Sequence, residues 1–137
     1  SLTVGPSHEP GLSRMTIVVD APELEQVKKQ LHKLVNVVKI SELDKSQSIE
    51  REILLVRVNA QPARRQELLS LASIFDARAV DVGPNSIAFQ VVGKPDKIND
   101  FLDLVRPYGV VDLAKSGWVA IARETKGRGA ATLRAVN

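Results

Sequence analysis

His8 beside Glu9 is the pair of side chains in this sequence that could coordinate a metal ion. The pair sits in a polar loop, where two solvated neighbours account for it more simply. His32 stands apart on the polar face of an amphipathic segment. Asp81, Asp100, Asp103 and Asp112 fall on different elements with no spacing that suggests a catalytic carboxylate pair. Ser73, Ser86 and Ser116 lack the flanking glycines of a nucleophile elbow. Gly127-Arg128-Gly129-Ala130-Ala131 resembles a phosphate loop only superficially, because no strand precedes it and no Gly-Lys-Ser/Thr follows. The absence of cysteine excludes thiolate zinc sites, cysteine nucleophiles and disulfides. Trp118 could form a ligand platform and Arg64-Arg65 a recognition patch, but a core or interface tryptophan and a solvated helix face are the plainer readings. Catalysis is not expected of this chain, and neither a metal nor a cofactor is expected on it.

Charge and composition narrow the partners. The chain has 137 residues, 44% of them apolar, which suffices for a packed core. No apolar run approaches the roughly 20 residues that cross a bilayer, so no membrane association is expected. The lack of cysteine fits a cytoplasmic protein, or a plastid one in a plant or alga. The net charge of +3 lies wholly in the last residues, where Arg123, Lys126, Arg128 and Arg134 face one acid, Glu124. A neutral body with a short basic tail does not supply the dense stripe that neutralises many phosphates. Phe89 reads as core rather than as a base-stacking platform, and no nucleic-acid partner is expected.

The elements that must hold these side chains come as one half-unit stated twice. Val4-Gly5-Pro6-Ser7 recurs as Val82-Gly83-Pro84-Asn85. Each is followed by an alternating apolar strand, an amphipathic helix and a valine-rich strand. In the first copy these are Ser13 to Val19, a helix after Asp20 and Pro22 carrying Leu24, Val27, Leu31 and Leu34, and Asn36 to Leu43 with Val38 and Ile40 inward. In the second they are Ser86 to Val92, a helix after Gly93 carrying Ile98, Phe101, Leu102 and Val105, and a strand burying Val111 and Leu113. A final strand is expected over Trp118 to Ala122. The buried faces agree at an offset of 74 residues, pairing Met15 with Phe89, Ile17 with Val91 and Leu24 with Ile98.

Only the second copy has a strand (Ile53 to Val58) and a helix (Pro62 to Phe75) ahead of the shared part. That completes a strand-helix-strand-strand-helix-strand unit, the ferredoxin-like split βαβ. The expected fold class is therefore α+β, with two ferredoxin-like (βαββαβ) units in tandem, the first lacking its first strand and helix. The expected partition is a truncated first domain over 1–45 (ββαβ), a polar linker over 46–52, a second domain over 53–123 and a disordered basic tail over 124–137. Because the absent strand is central in this topology, Asn36 to Leu43 is left without a partner. The first half is not expected to be stable alone.

Ser1 to Pro6, Leu12 to Val18 and Leu24 to Val35 resemble the regulatory (small) subunit of acetolactate synthase. So do Glu50 to Val56, Ile74-Phe75 with Val80-Asp81-Val82, Lys97 to Leu102 and Ala114-Lys115-Ser116-Gly117. The resemblance runs over about residues 1 to 124. It implies a non-catalytic partner of a large subunit that uses thiamine diphosphate, magnesium and FAD to join two 2-ketoacids. The small subunit of that family raises its partner's activity and imposes feedback inhibition by valine or a related branched-chain amino acid.

The resemblance also makes the first domain an ACT domain that forms a homodimer with effector at the interface. In the family the effector contacts come from a glycine turn after the first strand and an asparagine before the second. Neither has a counterpart in this sequence. Leu2, Thr3 and Gly5 are then the residues bordering the effector site, and tight valine binding by these 137 residues is not expected. The alternative reading is a free-standing ACT-like or ferredoxin-like module that senses a ligand for, or docks on, another enzyme.

Overall fold

The computed structural model describes residues 1–124, so the expected tail over 124–137 lies, but for Glu124, outside the described residues. The chain divides into two compact units, residues 51–117 and residues 1–50 together with the segment from Trp118 onward.

In the second unit alternation builds the sheet. The strand β3 (Ser48–Asn59) places Leu54, Val56 and Val58 inward, all essentially inaccessible. They face Val91, Phe89 and Ile87 on β5 (Ser86–Gly93). With β4 (Arg78–Val82) and β6 (Val110–Lys115) the strand order is β4-β5-β3-β6, antiparallel at every pairing. Two helices, α2 (Arg65–Ile74) and α3 (Pro95–Val105), cover one face. Leu68 and Ala72 from α2, and Ile98, Phe101, Leu102 and Val105 from α3, join the inward strand residues in one core. Pro95 opens α3 where the missing N–H costs nothing. This is the ferredoxin-like order, and the expected α+β class with tandem units of this kind is the one found.

Both edge strands are irregular, with register shifts between Ala79 and Asp81 on β4 and between Arg57 and Val58 opposite β6. The second shift skips Val111, which is expected to point inward and is 57% exposed, while Leu113, opposite Val56, is 38% exposed on the outer strand.

Arg64 and Arg65 engage different partners within the unit. The Arg64 guanidinium stacks 4.2 Å from the centre of the Tyr108 ring, with its Nε 3.7 Å from Glu67. Loss of hydration around the Tyr108 phenol raises its pKa above the usual value, and Glu67 adds to the shift. Arg65 donates from Nε to the Ala60 carbonyl at 2.9 Å and from Nη2 to the Gly83 carbonyl, tying two loops together. Arg65→Ala leaves both carbonyls without this donor and is expected to destabilise the unit by about 1–3 kcal/mol, read from the urea midpoint at unchanged slope.

In the first unit, β1 (Leu2–Pro6) pairs antiparallel with β2 (Ser13–Ile17), setting Leu2 opposite Ile17, Thr3 opposite Thr16 and Gly5 opposite Arg14. The connecting loop closes with the Ser7 N–H on the Leu12 carbonyl at 2.9 Å, and Gly11 takes φ +81°, open to glycine. Asp20 precedes α1 (Ala21–His32), with Pro22 in the first turn. A short 3₁₀ turn, Lys45–Gln47, follows, capped by the Asp44 carboxylate on the Ser46 N–H at 3.1 Å. β7 (Val119–Ala122) pairs with β3 and groups by its contacts with residues 1–50.

Three expectations are corrected here. No strand forms over 36–43, because a strand exists only through its ladder and no described residue offers one. Val38 is 68% exposed while Ile40 is buried. The linker over 46–52 is regular from Ser48 onward, since β3 begins there and buries Ser48 and Glu52. Helix α1 buries no residue, because a two-stranded hairpin is too small a sheet to cover its apolar stripe.

Candidate functional site

Alternation along β1 sorts the three nominated residues onto two faces. Thr3 and Gly5 share one face with Thr16 and Arg14, whereas Leu2 lies on the other with Val4, Met15 and Ile17. Leu2 and Val4 are well exposed, and a Cβ added at Gly5 would meet nothing within 4 Å. Gly5→Ala should therefore preserve the hairpin, with amide shifts confined to its immediate neighbours, so any functional effect of that variant reports on the surface and not on folding.

The unit also holds a cavity of about 400 Å³ beside β2. Its wall includes the six consecutive residues Arg14 to Val19, the segment Ser41 to Leu43, and Trp118 and Ala120. Arg14 donates from Nη2 to the Ala120 carbonyl at 2.8 Å, and the Trp118 N–H reaches Ser1 Oγ at 3.1 Å, so the segment from Trp118 closes one side. Leu2, Thr3 and Gly5 are not part of this wall. Arg14 and Trp118 went unrecognised in the sequence as neighbours, because their juxtaposition requires Trp118 to return to the first unit. No local pattern carries that.

The remaining candidates are dispersed. His8 Nε2 lies 3.8 Å from Glu9 in solvent, and among the described residues no three metal-ligating side chains converge. The clearest charge cluster is Lys28, whose ammonium lies 3.1 Å from Glu42 and 3.4 Å from Glu25. The hydrogen bond to Glu42 raises the Lys28 pKa above 10.5, assisted by Glu25 against partial burial. A raised lysine pKa stabilises the fold fully below the unfolded value and loses that contribution as pH climbs through the folded value. The stability difference between the parent and Lys28→Met should thus be flat at neutral pH and shrink above pH 10.5. A difference that persists there would assign the effect to packing.

The arrangement assembles no nucleophile with a base among the described residues. It offers instead a ligand-sized hairpin surface ahead of a complete ferredoxin-like unit. Residues 1–39 match the profile described as "AHAS small subunit-like ACT domain", and residues 51–124 match "Small subunit of acetolactate synthase". The class is thus an ACT-bearing two-unit chain.

This chain belongs to the acetolactate synthase small-subunit family. It is 48% identical over 128 residues to a probable acetolactate synthase small subunit of Archaeoglobus fulgidus, covering 92% of this chain and 80% of that one. The Mycolicibacterium smegmatis acetolactate synthase small subunit is 41% identical over 134 residues, covering 96% and 78%. The crystal structure of the Thermotoga maritima small subunit superposes with a TM-score of 0.78 at 35% identity, over 91% of this chain and 80% of that one. No described helix is long and apolar enough to cross a membrane.

Proposed function

We propose that this chain is a non-catalytic regulatory subunit of acetolactate synthase, acting in branched-chain amino acid biosynthesis in the cytoplasm. It raises the activity of a large subunit that carries thiamine diphosphate, magnesium and FAD. The observation that carries this reading is the match of both units, in order, to the two halves of one small-subunit family. The scatter of titratable side chains supports a role without chemistry of its own.

Feedback inhibition by valine belongs to the same reading. ACT units pair as a homodimer, effector lies at their interface, and Leu2, Thr3 and Gly5 border it. Coupling through a two-chain interface makes effector binding a change of quaternary equilibrium. The experiment is reconstitution of this chain with the large subunit of its own organism. A several-fold rise in acetolactate formation is expected, and no rise at saturating chain would remove the assignment. Gly5→Ala is expected to leave activation intact.

A further inference from the structure

The sheet of the second unit has two faces, and α2 and α3 cover the one that carries Leu54, Val56 and Val58. On the other face the strand registers set out three rows. Val92 lies beside Ile53 in the first, Arg78, Gln90, Leu55 and Ala114 form the second, and Asp81, Ala88, Arg57 and Asp112 form the third. Ile53, Leu55 and Val92 are 37%, 47% and 50% exposed, so the centre of this face is apolar and wet. Its charges are engaged unevenly. Arg57 turns toward β4 and β5, with Nη1 3.0 Å from Ser86 Oγ and Nη2 2.5 Å from Asp81. Asp112, across from Arg57 on β6, accepts the N–H of its neighbour Leu113 at 2.9 Å and has no ion pair among the described residues. Arg78, at the opposite margin on β4, has neither an ion pair nor a side-chain hydrogen bond among those residues.

An open cation at one margin, an open carboxylate at the other and apolar residues between them make a surface complementary to itself. We propose that this face docks a second copy of the chain, face to face, about a two-fold axis running parallel to the strands between β5 and β3. Such an axis exchanges the margins. β4 then lies over β6 of the second copy and β5 over its β3, with the two sheets about 10 Å apart. Ile53 meets Val92 of the second copy and Val92 meets its Ile53, which closes an apolar centre of four side chains. Arg78 lies over Ala114 of the second copy, about 7 Å along the strand from its Asp112 and within reach of a guanidinium. Symmetry forms that pair twice. Asp81, which faces Asp112 of the second copy, is already neutralised by Arg57. A wholly acidic or wholly basic partner would leave one margin unmatched, whereas a second copy matches both. Four strands about 4.8 Å apart and some 20 Å long bound a contact of roughly 400 Å² a side, the small end of specific interfaces. Association through this face alone is therefore weak and has to be trapped to be seen. The inference goes beyond the regulatory reading, since it needs neither effector nor large subunit.

The chain contains no cysteine, so an introduced disulfide reports this contact without background. Full-length Ile53→Cys and Val92→Cys chains, one of them tagged, are mixed and gently oxidised. The mixed disulfide is expected to form at least about tenfold faster than that of either chain with Ile74→Cys, whose site on α2 is 73% exposed. Arg78→Asp or Asp112→Arg, added to both chains, is expected to slow the cross-link about tenfold, and the two together to restore it, which a merely structural loss would not do. Amide exchange of β3 and β5 verifies that each variant is folded. A second measurement needs no substitution: between about 10 μM and about 1 mM chain, the amide signals of Ile53, Leu55, Gln90 and Val92 are expected to shift while those of α2 stay in place. A cross-link no faster than the α2 control, charge reversals that have no effect or do not restore each other, or signals indifferent to concentration overturn the docking. Loss of the cross-link when the large subunit of the same organism is added assigns the face to that subunit and overturns the second copy as its occupant.

Discussion

Phe101→Ala is expected to remove a large part of the second unit's stability. Phe101 is fully buried on α3, edge-on to Phe75 at 5.5 Å and to Phe89 at 6.0 Å between ring centres. Truncating such a ring removes its transfer energy, leaves a cavity and breaks two aromatic contacts, at a cost of about 3–5 kcal/mol. A unit spanning residues 51–117 has a total stability of roughly 3–10 kcal/mol. The variant should show a urea midpoint shifted by half or more, and loss of the slowest-exchanging amides of β3 and β5. A shift under about 1 kcal/mol would mean that the site collapses around the alanine and that the core is looser than its burial indicates.

Gly109→Ala is expected to cost at least about 2 kcal/mol, from two separable causes. Gly109 has φ +100°, which an L side chain rarely adopts, and its new Cβ would lie 2.6 Å from Asn59 Nδ2. The residue cannot move away freely, because its carbonyl accepts the Asn59 N–H at 2.8 Å at the end of β3. Adding Asn59→Ala removes the clash and leaves the backbone strain, so the double variant should recover part of the loss relative to the sum of the singles. Strict additivity would place the whole cost in the backbone.

These two residues also mark what could be read from sequence. The stripe Ile98, Phe101, Leu102 and Val105 is legible because helix period and burial agree, and all four are buried. Leu54, Val56 and Val58 are legible through alternation for the same reason. Asn36 to Leu43 alternates as well, yet forms no strand: alternation specifies which face turns inward, while a ladder depends on a neighbour that local sequence does not report. The apolar stripe of α1 fails similarly, having the period of a buried helix without a sheet wide enough to bury it.

The family of the site was legible from short blocks such as Ser1 to Pro6 and Ala114 to Gly117. Its cavity was not, because Trp118 and Arg14 are far apart in sequence and meet only through the return of the last strand. The Arg57 ion pair with Asp81, at 2.5 Å, likewise spans two strands and has no local signature.

The irregular edges of the second sheet have a bearing on how the molecule behaves at high concentration. A straight, flat outer strand is a template on which further copies can stack edge to edge. Here β4 is kinked beside Asp81, and the β6 side is shifted beside Arg57 and Asp112, so each outer row of backbone groups is twisted out of line and flanked by charge. Polymerisation through this sheet is disfavoured at both ends.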